Sequence, residues 1–358
     1  MANGGPRLFI LNTGSTSTKV AIYQGNSLVT QETLFHSPQD LAGFSTIWGQ
    51  YDFRKNAILD WFAAKEANWG DFSAIVSRGG VFKPIPSGVY LISEKMLEDA
   101  KSGKYGQHAC NVGCLIAFDL GSANKIASFT VDPPCADEMI PEATYTGLPQ
   151  FRRWSWYQAL NQKATGRKLA DRLGVPYDEM CTVIAHLGGG TSVAAHEKGK
   201  VIDVNNGLDG DGPFSPERVG TLPAGDLVRL CFSGAYTQQE IKNMICGRGG
   251  LVAHLGTTDA NAIEKRIADG DTTARAVYNA MLYQVAKAIG AAAVSLQGRV
   301  QAIAVTGGLA NSNYVTGYLE RLTGWIAPFF IFPGENEMES LAQGALRCLR
   351  GEEEPKAY

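Results

Sequence analysis

The chain has 358 residues, 45% of them apolar and 19% charged, which is too long for one average domain and too apolar for a disordered chain. Lys and Arg number 32 against 35 Asp and Glu, a formal charge of −3, so there is no basic field to hold a nucleic-acid backbone and no nucleic-acid partner is expected. The longest apolar run, around 288–294, falls far short of the ~20 residues of a membrane span, and residues 1–7 lack the apolar core of a signal peptide, so a cytoplasmic protein is expected.

In chain order, residues 7–34 read as strand, turn, strand, turn, strand: Leu8 to Leu11, then NTGSTSTK, Val20 to Tyr23, a Gly25-Asn26 turn and Leu28-Val29. Residues 181–202 repeat the plan with CTVIAHL, GGGTS, VAAHE, a Lys198-Gly199 turn and a last apolar pair. A second echo links AIVSRGGV at 74–81 to AIAVTGGLA at 302–310, each an apolar strand ending in two glycines. Two echoes this far apart point to a duplicated domain rather than a solenoid, whose periods run to roughly 20–50 residues. Helical periodicity covers 53–66, 111–120, 154–173, 225–232, 237–245, 260–268, 272–297, 313–322 and 338–349, with Asp271 a natural N-cap and Gly298 a natural stop. Strands alternating with helices in both halves predict an α/β protein of two duplicated domains that abut without a low-complexity linker.

Seven cysteines at irregular spacings, with no C-x-x-C pair, suggest neither a disulfide framework nor a zinc site and are read as small buried hydrophobes. The five histidines form no H-x-x-x-H pair. Three glycine-rich turns could carry chemistry. Asn12 to Lys19 places a glycine, five hydroxyls and a lysine between two strands, suited to wrapping phosphoryl oxygens or, equally, to a polar hairpin bonded to its own backbone. His186 to Ser192 contains Gly188, Gly189 and Gly190, which let a backbone approach an anion or simply form a flexible turn. Gly307 and Gly308 end a strand before the helix near Asn313, where a nucleotide could lie. No Walker A pattern occurs.

The segments NTGSTSTK, SRGG, HACNVG, VDPPCADE, ALNQKA, HLGGGTSVAAHEKGKVIDVNN, DGDGPFSPERVGTLPAGDL and VTGGLANS stand in the order found in butyrate kinases, and from residue 7 to 350 the chain resembles that branch of the acetate kinase family. The resemblance implies the actin-like ATPase fold, two RNase-H-like domains around a central nucleotide cleft, divided at 1–165, completed by the helix 337–350, and 166–336. It implies phosphoryl transfer from MgATP to butyrate or a similar short or branched acid, giving an acyl phosphate and ADP, in an assembly of at least two copies. Activity on acetate or propionate, or a nucleotide-binding relative with weakened catalysis, are the alternatives.

By the same resemblance, Asn12, Ser15, Ser17 and Lys19 form the first phosphate loop and Gly188 to Gly190 the second. Arg78 meets the substrate carboxylate and Arg218 the transferring phosphoryl group, roles that suit a planar, permanently charged fork, although either could be an ordinary ion pair. Asp132 corresponds to the family's active-site aspartate, orienting a cation or meeting magnesium through water. Glu337 corresponds to a magnesium-associated glutamate, with Glu335 and Glu339 close enough to leave the register open. His108 and His186 are possible donors to phosphoryl oxygens. Gln158 stands where the family has a histidine; glutamine can still donate an N–H but is never cationic, so a weaker rate, or activity directed at another acid, is expected. Val81, Leu148 and Tyr157 are guesses for the walls around the acyl tail.

Overall fold

The computed structural model describes residues 4–358, and its contacts divide the chain into two compact units, 4–136 together with 336–358, and 137–335. The expected boundary at 165/166 falls inside the helix Ala159–Leu173, which packs on strands of the second unit, so the division lies at 136/137 instead.

In the first unit, β1 (Arg7–Thr13), β2 (Ser17–Gln24) and β3 (Ser27–Phe35) form an antiparallel meander. β4 (Ala74–Ser77) and β6 (Ala127–Val131) run parallel to β1, and β5 (Val89–Leu91) closes the edge antiparallel to β6, giving the order β3-β2-β1-β4-β6-β5. Leu8 to Leu11 are fully buried because β1 is covered on both faces. Phe9 and Leu11 join the helices Tyr51–Ala64 and Ala109–Asn124 in one core. The C-terminal helix Glu337–Leu349 also packs on β1, β4 and β6, so the last described segment belongs to the first unit.

The second unit repeats the layout. β7 (Cys181–Leu187), β8 (Thr191–Glu197) and β9 (Lys200–Val204) form the meander, and β10 (Ala302–Gly307) and β11 (Phe329–Pro333) run parallel to β7, in the order β11-β10-β7-β8-β9. Alternate residues of β7 separate its two faces, as the period of a strand requires. Val183, Ala185 and Leu187 pack in the core of the 24-residue helix Thr272–Ser295, whereas Ile184 packs with Leu169 and Ala170 of Ala159–Leu173. Asp271 does cap the long helix, accepting from the Ala274 N–H.

Three further expectations change. The helix expected from residue 154 starts at Ala159, because Gln158 has ψ 65° and the Ser155 N–H goes to the Asp137 carboxylate instead of into a helix. The sequence reading omits Glu94–Ser102, although Ser93 caps it and Gly103 ends it in the left-handed region. Of the cysteines, 110, 114, 135 and 181 are buried, but Cys231 is exposed and Cys246 and Cys348 are half-buried, so the hydrophobe reading holds for four of seven.

Lys163 is fully buried and donates to the Glu138 carboxylate at 2.5 Å and to the Gly199 carbonyl at 2.6 Å, while Glu138 also accepts from the Val201 N–H at 2.9 Å. Lys163→Met breaks this buried pair, and urea unfolding of the second unit is expected to show a loss of about 3–5 kcal/mol.

Candidate functional site

In the first unit the expected residues collect where the parallel strands end. Asn12 and Thr13 close β1, Arg78 follows β4 and Asp132 follows β6, the carboxyl-end edge at which open α/β sheets bind ligands. The β1–β2 turn is tight: Asn12 pairs with Lys19, Thr13 with Thr18, and the Gly14 N–H donates to the Ser17 carbonyl at 2.8 Å. Ser15 is left exposed, and Ser17 and Lys19 half-buried.

Glu337, the first residue of the C-terminal helix, ties two of these groups together. Its Oε2 accepts from Asn12 Nδ2 at 2.6 Å and its Oε1 pairs with Arg78 at 3.1 Å. Asn12 Oδ1 is buried with no hydrogen-bond partner. Arg78 reaches this position because Gly79, at φ +88°, lets the chain turn against β6; a Cβ there would overlap the Thr130 hydroxyl. Asp132 itself sits at φ +39°, its Oδ1 accepting from the Gly88 N–H at 2.8 Å. His108 caps the helix Ala109–Asn124, its Nδ1 accepting from the Cys110 N–H at 3.3 Å, which puts the proton of the neutral ring on Nε2. Burial, then the charges of Arg78 and Arg54, hold its pKa below the ordinary histidine value, so it is a neutral donor at pH 7.

Arg54 belongs to this region and was missed by the sequence reading. It is wholly buried and donates to the carbonyls of Ser15 and Ser17 and to the Thr18 hydroxyl. The available signal was a cation in register with Ile58 and Phe62 on the buried stripe of an otherwise ordinary helix.

In the second unit the same edge carries His186 at the end of β7 and Gly307 at the end of β10. Asn161 Nδ2 donates to the Glu335 carbonyl at 2.8 Å, which turns Asn161 Oδ1 toward His186 Nδ1 at 2.7 Å. The His186 Nδ1 proton is therefore committed, and Nε2, beside Gly188, donates only when the ring is protonated; the expected donor role is narrowed accordingly. The Arg218 guanidinium packs so closely on Gly190 that a Cβ there would overlap it. Its NH1 donates to the Gly207 carbonyl at 2.6 Å, its Nε is buried without a partner, and no carboxylate among the described residues pairs with it. Ser215 pins the turn by donating to the Gly189 carbonyl at 2.5 Å.

Gln158 ends a hydrogen-bonded row. His196 Nε2 faces Gln162 Oε1 at 3.0 Å, Gln162 Nε2 donates to Ser192 Oγ at 2.8 Å, and Ser192 Oγ donates to Gln158 Oε1 at 2.6 Å. This orients Gln158 with its amide oxygen held inward. Gly307, at φ +89°, exchanges backbone hydrogen bonds with Gly334, and Gly308 opens a short 3-10 turn, so these glycines precede the helix Asn313–Thr323 by one turn rather than heading it. Of the suggested acyl walls, Val81 and Tyr157 are buried and Leu148 is 55% exposed. A cavity of about 440 Å³ in the second unit, lined by residues including Arg153, Asp203, Asp211 and Lys287, contains none of the expected site residues.

The chain matches the acetokinase family model over residues 140–322. It is 47% identical over 352 residues to butyrate kinase 2 of Clostridium acetobutylicum, covering 98% of this chain and 99% of the relative. Its fold is shared with an acetate kinase of Porphyromonas gingivalis, at a TM-score of 0.76 and 17% identity, covering 95% of this chain and 99% of that one. A propionate kinase of Francisella tularensis matches at 0.75 and 18%, covering 95% and 98%. No helix among the described residues is long and apolar enough to cross a membrane.

Proposed function

This chain belongs to the acetokinase family, and from that premise we propose that it transfers the terminal phosphoryl group of ATP to butyrate or a similar short-chain carboxylate, in the cytoplasm. A carboxylate oxygen attacks the γ-phosphorus, the bond from phosphorus to the ADP oxygen breaks, and an acyl phosphate and ADP result. The acceptor is already ionised, so no general base is needed and the protein's work is positioning and charge compensation.

Each residue has a role that its surroundings support. Arg78 holds the acid's carboxylate through a bidentate fork, in place of its present partner Glu337. Arg218, a half-buried guanidinium without an acid of its own, holds the equatorial oxygens of the migrating group, and this one observation carries the reading. His108 donates from Nε2, and Gln158 donates from an amide whose oxygen is already bound by Ser192. The turns at Ser15–Lys19 and Gly188–Gly190 take the nucleotide's phosphates, with Gly307 and Gly308 at the nucleotide's far end. Asp132 acts by orienting groups at the end of β6.

A magnesium ion fits the residues present. The orphaned Asn12 Oδ1 and the Glu337 carboxylate are hard oxygen donors, and Mg²⁺ characteristically takes one or two protein carboxylates and completes its shell with waters and substrate phosphates. Asn12 and Glu337 would hold the ion, which would supply positive charge to offset that of the phosphates. Glu337→Gln is expected to weaken Mg²⁺ activation about tenfold and to lower the KM for the acid, because Arg78 loses its internal competitor; steady-state titration of both ligands reads the two effects.

The test of the function is acyl hydroxamate formation from ATP, Mg²⁺, hydroxylamine and each linear or branched acid from two to six carbons. Product with butyrate is expected, and its absence with every acid overturns the reading.

A further inference from the structure

Arg54 is the largest wholly buried side chain of the first unit and carries a full charge. All of its hydrogen bonds go to neutral acceptors: Gln50 Oε1 at 3.0 Å, the Ser15 carbonyl at 3.0 Å, the Ser17 carbonyl at 3.2 Å and Thr18 Oγ1 at 3.0 Å. No carboxylate among the described residues pairs with it. A buried cation without a counter-ion is costly, and cores normally pair such a group or replace it with an apolar one. An apolar side chain would suit the same stripe, where Arg54 stands with Ile58 and Phe62.

The geometry ties the charge to one segment. Three of the four acceptors lie in Ser15–Thr18, the turn between β1 and β2. A carbonyl and the N–H of the following residue point in opposite directions across a planar peptide. Holding the Ser15 carbonyl toward Arg54 therefore aims the Thr16 N–H away from it, toward the exposed side where Ser15 and Thr16 meet solvent. Thr18 Oγ1 is fixed further by His36 Nε2 at 2.9 Å, and the Thr16 carbonyl accepts from the His36 N–H at 2.9 Å. The turn is thus gripped from beneath by a cation and presents amide and hydroxyl donors above.

We propose that Arg54 is a positioning residue for nucleotide phosphates: its missing counter-ion is the phosphate bound on the outer face of the Ser15–Thr18 turn, which it orders and whose charge it offsets through the low-dielectric interior. The inference rests on the reading of this turn as a phosphate loop. Interior charge interactions are screened less than surface ones, so the effect persists at salt concentrations that abolish surface steering.

The experiment compares Arg54→Lys, which keeps the charge, with Arg54→Gln, which keeps hydrogen bonding without it, by calorimetric titration with ATP, ADP and AMP and by steady-state kinetics with MgATP and butyrate. Arg54→Gln is expected to weaken ATP and ADP about tenfold and AMP least, to raise the KM for ATP with a smaller change in kcat, and to hold these differences at 0.5 M salt; Arg54→Lys is expected to stay within about threefold of the unsubstituted protein. Equal affinities in all three proteins, or equal losses in both variants, overturn the proposal. Should Arg54→Gln fail to fold, the arginine Nε–H resonance missing from Arg54→Lys reports directly: it shifts on titration of the unsubstituted protein with ADP if the proposal holds and stays fixed if it does not. Ser17→Ala separates this inference from its premise. If Ser17→Ala leaves ADP binding intact, the phosphate-loop reading fails; if it weakens binding while Arg54→Gln does not, the role of Arg54 alone fails.

Discussion

Replacing Arg218 by alanine is expected to lower kcat about 1,000-fold while leaving the KM for the acid within a few fold, because an arginine that meets a transferring phosphoryl group acts in the transition state rather than in the ground state. The fold should survive. Arg218 forms no ion pair among the described residues, and its removal forfeits one side-chain hydrogen bond, that to the Gly207 carbonyl. Unchanged circular dichroism with lost turnover separates this from misfolding, and turnover within tenfold of the original would sink the assignment. Arg218→Lys should recover only a small part of the rate, since a point charge cannot reproduce two parallel N–H bonds.

Arg78→Ala has the second largest expected effect, and it falls elsewhere. Loss of a charge-assisted pair with the substrate is worth about 1.5–3 kcal/mol, or roughly 10- to 150-fold, and should appear mainly in the KM for the acid while the KM for ATP changes little. Because Arg78 also faces Glu337 at 3.1 Å, alanine strands a carboxylate that is only 12% exposed. That carboxylate keeps its hydrogen bond from Asn12, so a modest drop in thermal stability accompanies the kinetic effect and a large one does not. An unchanged KM for every acid tested removes Arg78 from the substrate site.

The sequence was most informative where burial is symmetrical or where a turn demands glycine. β1 and β7 stand out as unbroken apolar runs because both their faces are covered, and the meanders after them are marked by Gly25 and by Lys198-Gly199, which adopt positive φ. β5 has three residues on a sheet edge and β11 is largely half-exposed, so neither accumulates a clear hydrophobic pattern. The same contrast runs through the candidate site. Its glycine turns and arginines are visible as local motifs, but the bond between Arg78 and Glu337 joins positions 259 residues apart, and no local pattern announces it. The row from His196 to Gln158 depends on one helix face meeting one strand face, Gln162 against Ser192, which periodicity suggests only after the strand order is known. Arg54 is the instructive omission. A charged residue on an apolar stripe reads as an imperfection of the pattern until its partners are seen to be backbone carbonyls of the neighbouring turn.

The return of the helix Glu337–Leu349 to the first sheet has a consequence for biosynthesis. A ribosome releases β1 to β6 long before it makes the segment that covers the far side of β1 and β4, so the early sheet waits with Leu8 and Ile10 uncovered while some two hundred intervening residues are translated. Glu337 arrives with that late segment. Nascent chains stalled before it should therefore be open to protease in β1 and bound by chaperones, and the carboxylate that meets Arg78 is made only after that wait.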